Sequence, residues 1–266
     1  MFKIPDWLIY ALLLAVILYN SRSRSQHEDT PSPPPILGPA LPNITPSDPG
    51  VVVEIDKPSS GVGTAFAIDN KGTWLTARHV VDACDQVGLR IHGSKYTKVT
   101  VKNISGTTDT ALLASNWKRP PLARDFLTRR NIGEQGFFLG FPQGRPGEAA
   151  GTLLGRRRMM IRGRYTTSEA ILAWAETGRS KGLKGSLGGL SGGPVFDSDG
   201  EVIGLVAAES PRRGRIYTVA PLSLAKLLAP LKTEIEGEAM AMNNYGRRAD
   251  AYRRSRRIAQ VVCLVK

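Results

Sequence analysis

The chain has 266 residues, 41% of them hydrophobic and 22% charged, a balance that excludes a disordered or fibrous protein and predicts a real core. Its length suits one large domain or two small ones. The formal net charge of +13 is high enough to favour acidic partners, but the basic clusters at 118–130, 156–164, 212–215 and 247–257 fall in expected loops and in the tail. Plain solvation is the first expectation for them and contact with anionic lipid the second; nucleic acid is not expected, because no stacking-aromatic or zinc motif accompanies the charge.

In chain order, residues 1–20 read as a membrane anchor. The run from Trp7 to Tyr19 is uninterrupted and apolar, with Trp7, Tyr10 and Tyr19 suited to the interfaces, and with its flanks it reaches the lower length limit of a spanning helix. A small-x-small cleavage site is missing where Tyr19, Asn20, Ser21 and Arg22 stand, which favours an uncleaved anchor over a signal peptide. Lys3 and Asp6 before the segment and Arg22 and Arg24 after it leave the orientation open. Residues 21–49 turn to Ser, Arg and Pro, the composition of a semi-extended tether.

From residue 50 to 232, apolar stretches of four to eight residues alternate with Gly, Asn, Asp and Pro, which is the pattern of a β-sandwich or barrel. Strands are predicted at 51–55, 63–68, 73–76, 87–91, 98–101, 110–113, 136–141, 151–154, 159–161, 170–174, 194–197, 202–207 and 216–220. That number suits an all-β body of two six-stranded antiparallel barrels. A short helix is predicted at 222–229, opened by Pro221 and stopped before Pro230. Residues 233–266 form a basic C-terminal tail, read equally well as an amphipathic surface helix or as loose chain. Cys84 and Cys263 are the two cysteines; one disulfide in an oxidising compartment and two idle thiols both remain open.

The sharpest chemical signal is Gly189-Leu-Ser-Gly-Gly-Pro194. Glycines around Ser191 free the backbone for conformations a Cβ would forbid, so the N–H groups of Gly189 and Ser191 can converge on one oxyanion. A bare glycine-rich turn is the bland alternative. A serine hydroxyl needs a base, and of the three histidines only His79, at the end of an apolar strand in Thr76-Ala-Arg-His-Val-Val81, can project into a cleft; His27 lies in the tether and His92 in a strand. Asp109, in Asp109-Thr-Ala-Leu-Leu113, precedes a strand that fixes it and can orient the imidazole. Asp82 and Asp85 are nearer to His79 in sequence but fall on the following helical stretch, where capping or solvation is expected.

These three segments, in the chain order His, Asp, Ser, resemble the signature segments of trypsin-like, chymotrypsin-fold serine peptidases, nearest the HtrA/Deg-like bacterial branch. Gly140-Phe-Pro142 is similar to a strand end of that branch. The resemblance covers roughly residues 51–231 and implies a serine endopeptidase acting on proteins or peptides without cofactor or metal, with His79, Asp109 and Ser191 catalytic. It implies a bacterial inner-membrane protein with its protease domain in the periplasm. It maps the substrate pocket to Gly185 and to Ala207, Ala208 and Glu209, small residues that suit a modest apolar side chain, with Glu209 favouring basic groups at the mouth. Leu190 stands where Asn or Asp is usual, Arg78 where Ala or Asn is common, and no PDZ domain is expected after the body. The glycine-rich segment 176–188 is costly to order and is expected to be mobile. The alternative function is a catalytically silent binding module at a membrane surface. Esterase chemistry on a nucleophile elbow needs Ser before Asp before His, the reverse of the order here.

Overall fold

The computed structural model describes residues 7, 10–16, 37–225, 227–229 and 232–266. The chain divides into two units, Met1–Ile36 and Leu37–Lys266. In the first, residues 10–16 are helical. Most of the expected anchor and the first half of the expected tether lie outside the described residues; among the described residues no helix is long and apolar enough to cross a membrane.

The second unit is all β apart from short helices, and its strands form two sheets. In one, β8 (Gln135–Gly140), β9 (Gly147–Gly163), β10 (Thr167–Arg179), β13 (Arg215–Val219), β12 (Val202–Ser210) and β11 (Pro194–Phe196) pair in ring order, closed by the β8–β9 pairing. This ring is the expected six-stranded barrel, but it carries a seventh strand. β1 (Gly50–Ile55) pairs with the far end of β9, in parallel, from Gly50↔Arg158 to Ile55↔Gly163. Its β-branched Val51, Val53 and Ile55 pack half-buried while Glu54 stays in solvent, the alternation of a strand with one covered face. The stretches expected as two strands at 151–154 and 159–161 are one long β9, because Gly155 accepts φ +146° beside a bulge at Ala173/Trp174 of its partner.

The other sheet also has seven strands rather than six. β5 (Lys95–Lys98), β4 (Gln86–His92), β14 (Ile258–Leu264), β2 (Gly61–Ala67), β3 (Thr73–Thr76), β7 (Ala111–Ala114) and β6 (Thr100–Ile104) lie in that order. The additional strand comes from the expected tail. β14 pairs with β2 on one side and β4 on the other, and Ile258, Ala259, Val261 and Cys263 are buried in it. Before it, the helix Tyr245–Arg254 packs on the body instead of seeking a surface: Ala249 and Tyr252 are buried, and Tyr252 stacks on Phe196 with ring centroids 5.2 Å apart. One of the arginines that made this segment read as solvated, Arg253, is itself buried and paired with Glu148 at 2.7 Å.

The second half of the expected tether is likewise strapped down. Gly38 and Leu41 donate their N–H groups to the carbonyls of Ile132 and Arg130 at 2.7 and 2.8 Å, Leu41 is buried, and Arg158 Nη2 donates to the Thr45 carbonyl at 3.0 Å. The expected helix after Pro221 is short, Pro221–Leu224. The main core lies between the sheets and joins Phe66, Trp74 and Leu113 to Phe137, Leu139 and Phe196; a second cluster fills the ring around Phe138, Trp174 and Leu190.

Cys84 and Cys263 form a disulfide, which ties the end of β14 to the segment that follows His79. The bridge spans 179 residues of chain, and closing so long a loop restricts the unfolded state by on the order of 5 kcal/mol. Reduction is therefore expected to lower the melting midpoint by roughly 10 °C, read by calorimetry with and without a phosphine reductant; coincident midpoints would contradict the bridge as a structural tie.

Candidate active site

Strands β3 and β7 pair antiparallel with Thr76 opposite Ala111, so the chain leaving β3 meets the chain entering β7. That register brings His79 and Asp109 together. His79 Nδ1 lies 2.7 Å from Asp109 Oδ2, and the His79 backbone N–H donates to Asp109 Oδ1 at 2.9 Å. The Asp109 carboxylate is 1% exposed and the imidazole 24%. Burial pulls the His79 pKa down, but the charge and hydrogen bond of Asp109 outweigh it and hold it above the ordinary histidine value. For Asp109, burial raises the pKa, and the charge and hydrogen bonds of His79, with that of Tyr165, bring it below the usual carboxylate range.

Three further side chains reach this pair from the β9–β10 hairpin of the other sheet. Tyr165 donates its hydroxyl to Asp109 Oδ1 at 2.9 Å, Arg164 Nη2 donates to the His79 carbonyl at 2.9 Å, and Glu169 Oε1 accepts the Asp109 backbone N–H at 2.6 Å. Nothing in the sequence singled them out.

Ser191 stands in the turn between β10 and β11. Gly192 has φ +81°, and a Cβ there would lie 2.3 Å from the Thr64 carbonyl and from Thr76 Oγ1; Gly189 has φ +95°, with the Phe141 carbonyl 2.6 Å from the position of a Cβ. Only glycine accepts both the dihedral and the contact. The residue that gathers this turn is Thr64 of β2, wholly buried. Its N–H donates to the Ser191 carbonyl at 2.9 Å, its hydroxyl donates to the Gly189 carbonyl at 2.8 Å, and it accepts from the Phe141 N–H at 3.1 Å. Ser191 is thus carried by one sheet and fastened to the other. It lines one cavity of about 310 Å³ together with His79 and Asp109.

Ala207, Ala208 and Glu209 line the same cavity. Gly185 does not appear in its lining; its carbonyl accepts from Arg179 Nη1 at 2.8 Å. The Glu209 carboxylate accepts the Leu187 N–H at 2.9 Å on each oxygen and bonds the Ser186 hydroxyl. The segment expected to be mobile is therefore held at several points: Gln143 Nε2 donates to the carbonyls of Lys184 and Ser186 at 2.6 and 2.8 Å. The rest of the wall is Met159 and Ile161 of β9 and, from β1, Val53, Glu54 and Ile55 with Asp56 just after it, a strand the sequence offered without any hint that it borders the site.

Glu169 is 5% exposed, and burial followed by the neighbouring Asp109 charge pushes its pKa up to about 8. Its Oε2 has no hydrogen-bond partner. The folded chain holds this proton where the unfolded chain has lost it, so between the ordinary carboxylate pKa and about 8 stability falls as pH rises. Glu169→Gln, which keeps the acceptor for the Asp109 N–H and cannot ionise, is expected to melt like the parent at pH 4 and several degrees higher at pH 8. A melting difference independent of pH would contradict a neutral Glu169.

The family of proteins described as "Trypsin-like peptidase domain" matches residues 63–205, more than half of the chain and inclusive of His79, Asp109 and Ser191. Among curated proteins, the chain is 26% identical over 159 residues to one from Pseudomonas savastanoi pv. phaseolicola named "Probable periplasmic serine endoprotease DegP-like". That similarity covers 59% of this chain and 31% of the relative, so the chain spans about a third of the relative's length. Among solved structures, the active form of the Rv3671c protease from M. tuberculosis superposes with a TM-score of 0.52 at 19% identity, over 73% of this chain and 95% of that one. The inactive form of the Rv3671c protease gives 0.51 at 22% identity, over 64% and 84%, a likeness of fold. With more than half its length matched, the chain belongs to the trypsin-like peptidase domain family.

Proposed function

We propose that the protein is a serine endopeptidase in which Ser191 is the nucleophile, His79 the general base and then acid, and Asp109 the group that orients the imidazole. The observation that carries this reading is the buried Asp109 carboxylate bonded to His79 Nδ1 at 2.7 Å in a cavity that Ser191 also lines. Asp109 on Nδ1 leaves Nε2 as the free lone pair, the tautomer a base needs. His79 takes the Ser191 proton as Oγ attacks the carbonyl carbon, and returns it to the departing amine; water then attacks the acyl-enzyme by the same relay.

Peptide planarity supports the oxyanion hole of Gly189 and Ser191. The Gly188 carbonyl accepts from the Gln143 N–H at 2.5 Å and the Leu190 carbonyl from the Gly193 N–H at 2.8 Å. In a trans peptide the N–H points opposite to the carbonyl, so the N–H groups of Gly189 and Ser191 point away from those partners, as two donors for one oxyanion must. Each such donor is worth about 3 kcal/mol to the tetrahedral intermediate. Ala207 and Ala208 leave room for a small side chain, while Glu209 is committed to the Ser186 hydroxyl and the Leu187 N–H and acts on the pocket by holding that loop.

Protein or peptide substrates follow from the family. The setting in the bacterial envelope is part of the same reading: the disulfide favours an oxidising compartment, the DegP-like relative is named periplasmic, and the apolar residues 7–19 would tether the domain to the inner membrane.

Ser191→Ala is expected to lower kcat by roughly a factor of 10⁵ to 10⁶ and to abolish labelling by a fluorophosphonate probe; a parent protein inert to both probe and casein would favour the silent binding module. Because His79 must be neutral to act and Asp109 holds its pKa up, kcat/KM is expected to rise with pH along an acid limb lying above the ordinary histidine pKa of about 6.5. A limb below that value would contradict the Asp109–His79 pairing.

A further inference from the structure

We propose that Tyr165, at the tip of the β9–β10 hairpin, is a positioning residue: by donating to Asp109 from the opposite sheet it sets the basicity of His79 and the registry of the two halves of the site. The inference rests on the reading of His79 as the base and goes beyond it, because it assigns catalytic tuning to a hairpin that carries none of the three reacting or orienting groups.

The geometry is specific. Asp109 Oδ2 faces the imidazole, while Oδ1 is shared between the His79 backbone N–H and the Tyr165 hydroxyl, each at 2.9 Å. A phenol donating to one oxygen withdraws charge from a carboxylate whose other oxygen partners Nδ1. The tyrosine ring is fixed from its far side by Arg78, whose guanidinium carbon lies 3.6 Å from the ring centroid. Arg78 in turn donates to the Ser105 carbonyl at 3.0 Å. Arg78 is the residue that departs from the usual pattern before the histidine, and its contact gives the departure a reason: it is the seat for Tyr165. The tip is backed by β1, since the Arg164 N–H donates to the Ile55 carbonyl at 3.2 Å, and it is pinned to the helix Arg78–Val81 by Arg164 Nε on Asp82 at 3.0 Å.

Other charges face the pair as well. From β10, Glu169 lies against the Asp109 backbone; from the hairpin tip comes Arg164, and from the segment around His79 come Arg78 and Asp82. Glu54 of β1, Asp56 just after it and Glu209 of β12 add to the cavity wall. Replacing Tyr165 with Phe alters none of these and keeps the ring on which Arg78 lies, so a change in His79 titration reports the lost hydroxyl.

The test is the titration of His79 in the full chain, followed by NMR through its imidazole protons, beside the pH profile of kcat and KM. In Tyr165→Phe the carboxylate returns charge to Nδ1, so the His79 midpoint is expected to rise by about half a pH unit or more, since a hydrogen bond to a charged group is worth roughly 1.5–3 kcal/mol. kcat at neutral pH is expected to fall about tenfold, with KM changed less than twofold. 3-Fluorotyrosine at position 165, a stronger donor of nearly the same shape, is expected to move the midpoint the other way, and it decides the matter even if the Phe variant fails to fold. A His79 midpoint indifferent to both replacements overturns the proposal. Should the parent neither cleave casein nor take up a fluorophosphonate, the peptidase reading fails, and the two midpoints still decide whether Tyr165 tunes His79.

Discussion

A carboxylate with 1% of its side chain exposed cannot be left without partners, because an uncompensated buried charge costs several kcal/mol. Asp109 is such a group, and its partners come from both sheets: the imidazole and backbone of His79 from one, the hydroxyl of Tyr165 from the other. Satisfying it therefore fixes the relation of the two halves of the body. The hairpin β9–β10 reaches across to this carboxylate, and β1 runs beside the part of β9 that β8 does not pair.

Thr64 answers the same constraint from the opposite direction. Asp109 draws the β9–β10 hairpin onto the sheet of β2, β3 and β7, and Thr64 draws the serine turn there too, through its N–H on the Ser191 carbonyl and its hydroxyl on the Gly189 carbonyl. Gly192 makes the approach feasible, since any side chain would collide with Thr64 and Thr76. Ser191 and His79 are thus held by a small set of hydrogen bonds that join the two sheets.

Much of this was legible in the residues. The apolar alternation predicted β3 with its exact ends, and the three motifs named His79, Asp109 and Ser191 in an order that spoke against the esterase fold. β14 was hidden because its partners are remote: Ile258 and Val261 lie opposite Phe66 and Gly63, nearly two hundred residues earlier, and the arginines before them outweighed their apolar pattern. For the same reason a cysteine pair 179 residues apart could not be assigned from spacing. Leu41, set between Ala40 and Pro42 in a proline-rich stretch, gave no sign that it straps the tether to the body. Nothing in the local pattern marks Tyr165 or Glu169; their contacts with Asp109 come from a crossing between sheets that no local pattern encodes. Glu209 was legible as lining the pocket but not as tied to the loop beneath it.

The central claim is that Ser191 and His79 meet over one substrate carbonyl with Asp109 behind them. A peptidyl chloromethyl ketone tests it directly, since such an inhibitor bonds both a catalytic serine oxygen and the imidazole beside it. Peptide mapping by mass spectrometry of the inactivated protein is expected to find a single inhibitor molecule alkylating His79, chloride having been displaced and the reversible hemiketal on Ser191 lost on denaturation, with alkylation slowed by orders of magnitude when Ser191 is replaced by Ala. Full exposure to the reagent with His79 unmodified, alkylation at the same rate with and without Ser191, or alkylation confined to His27 or His92 would contradict the account.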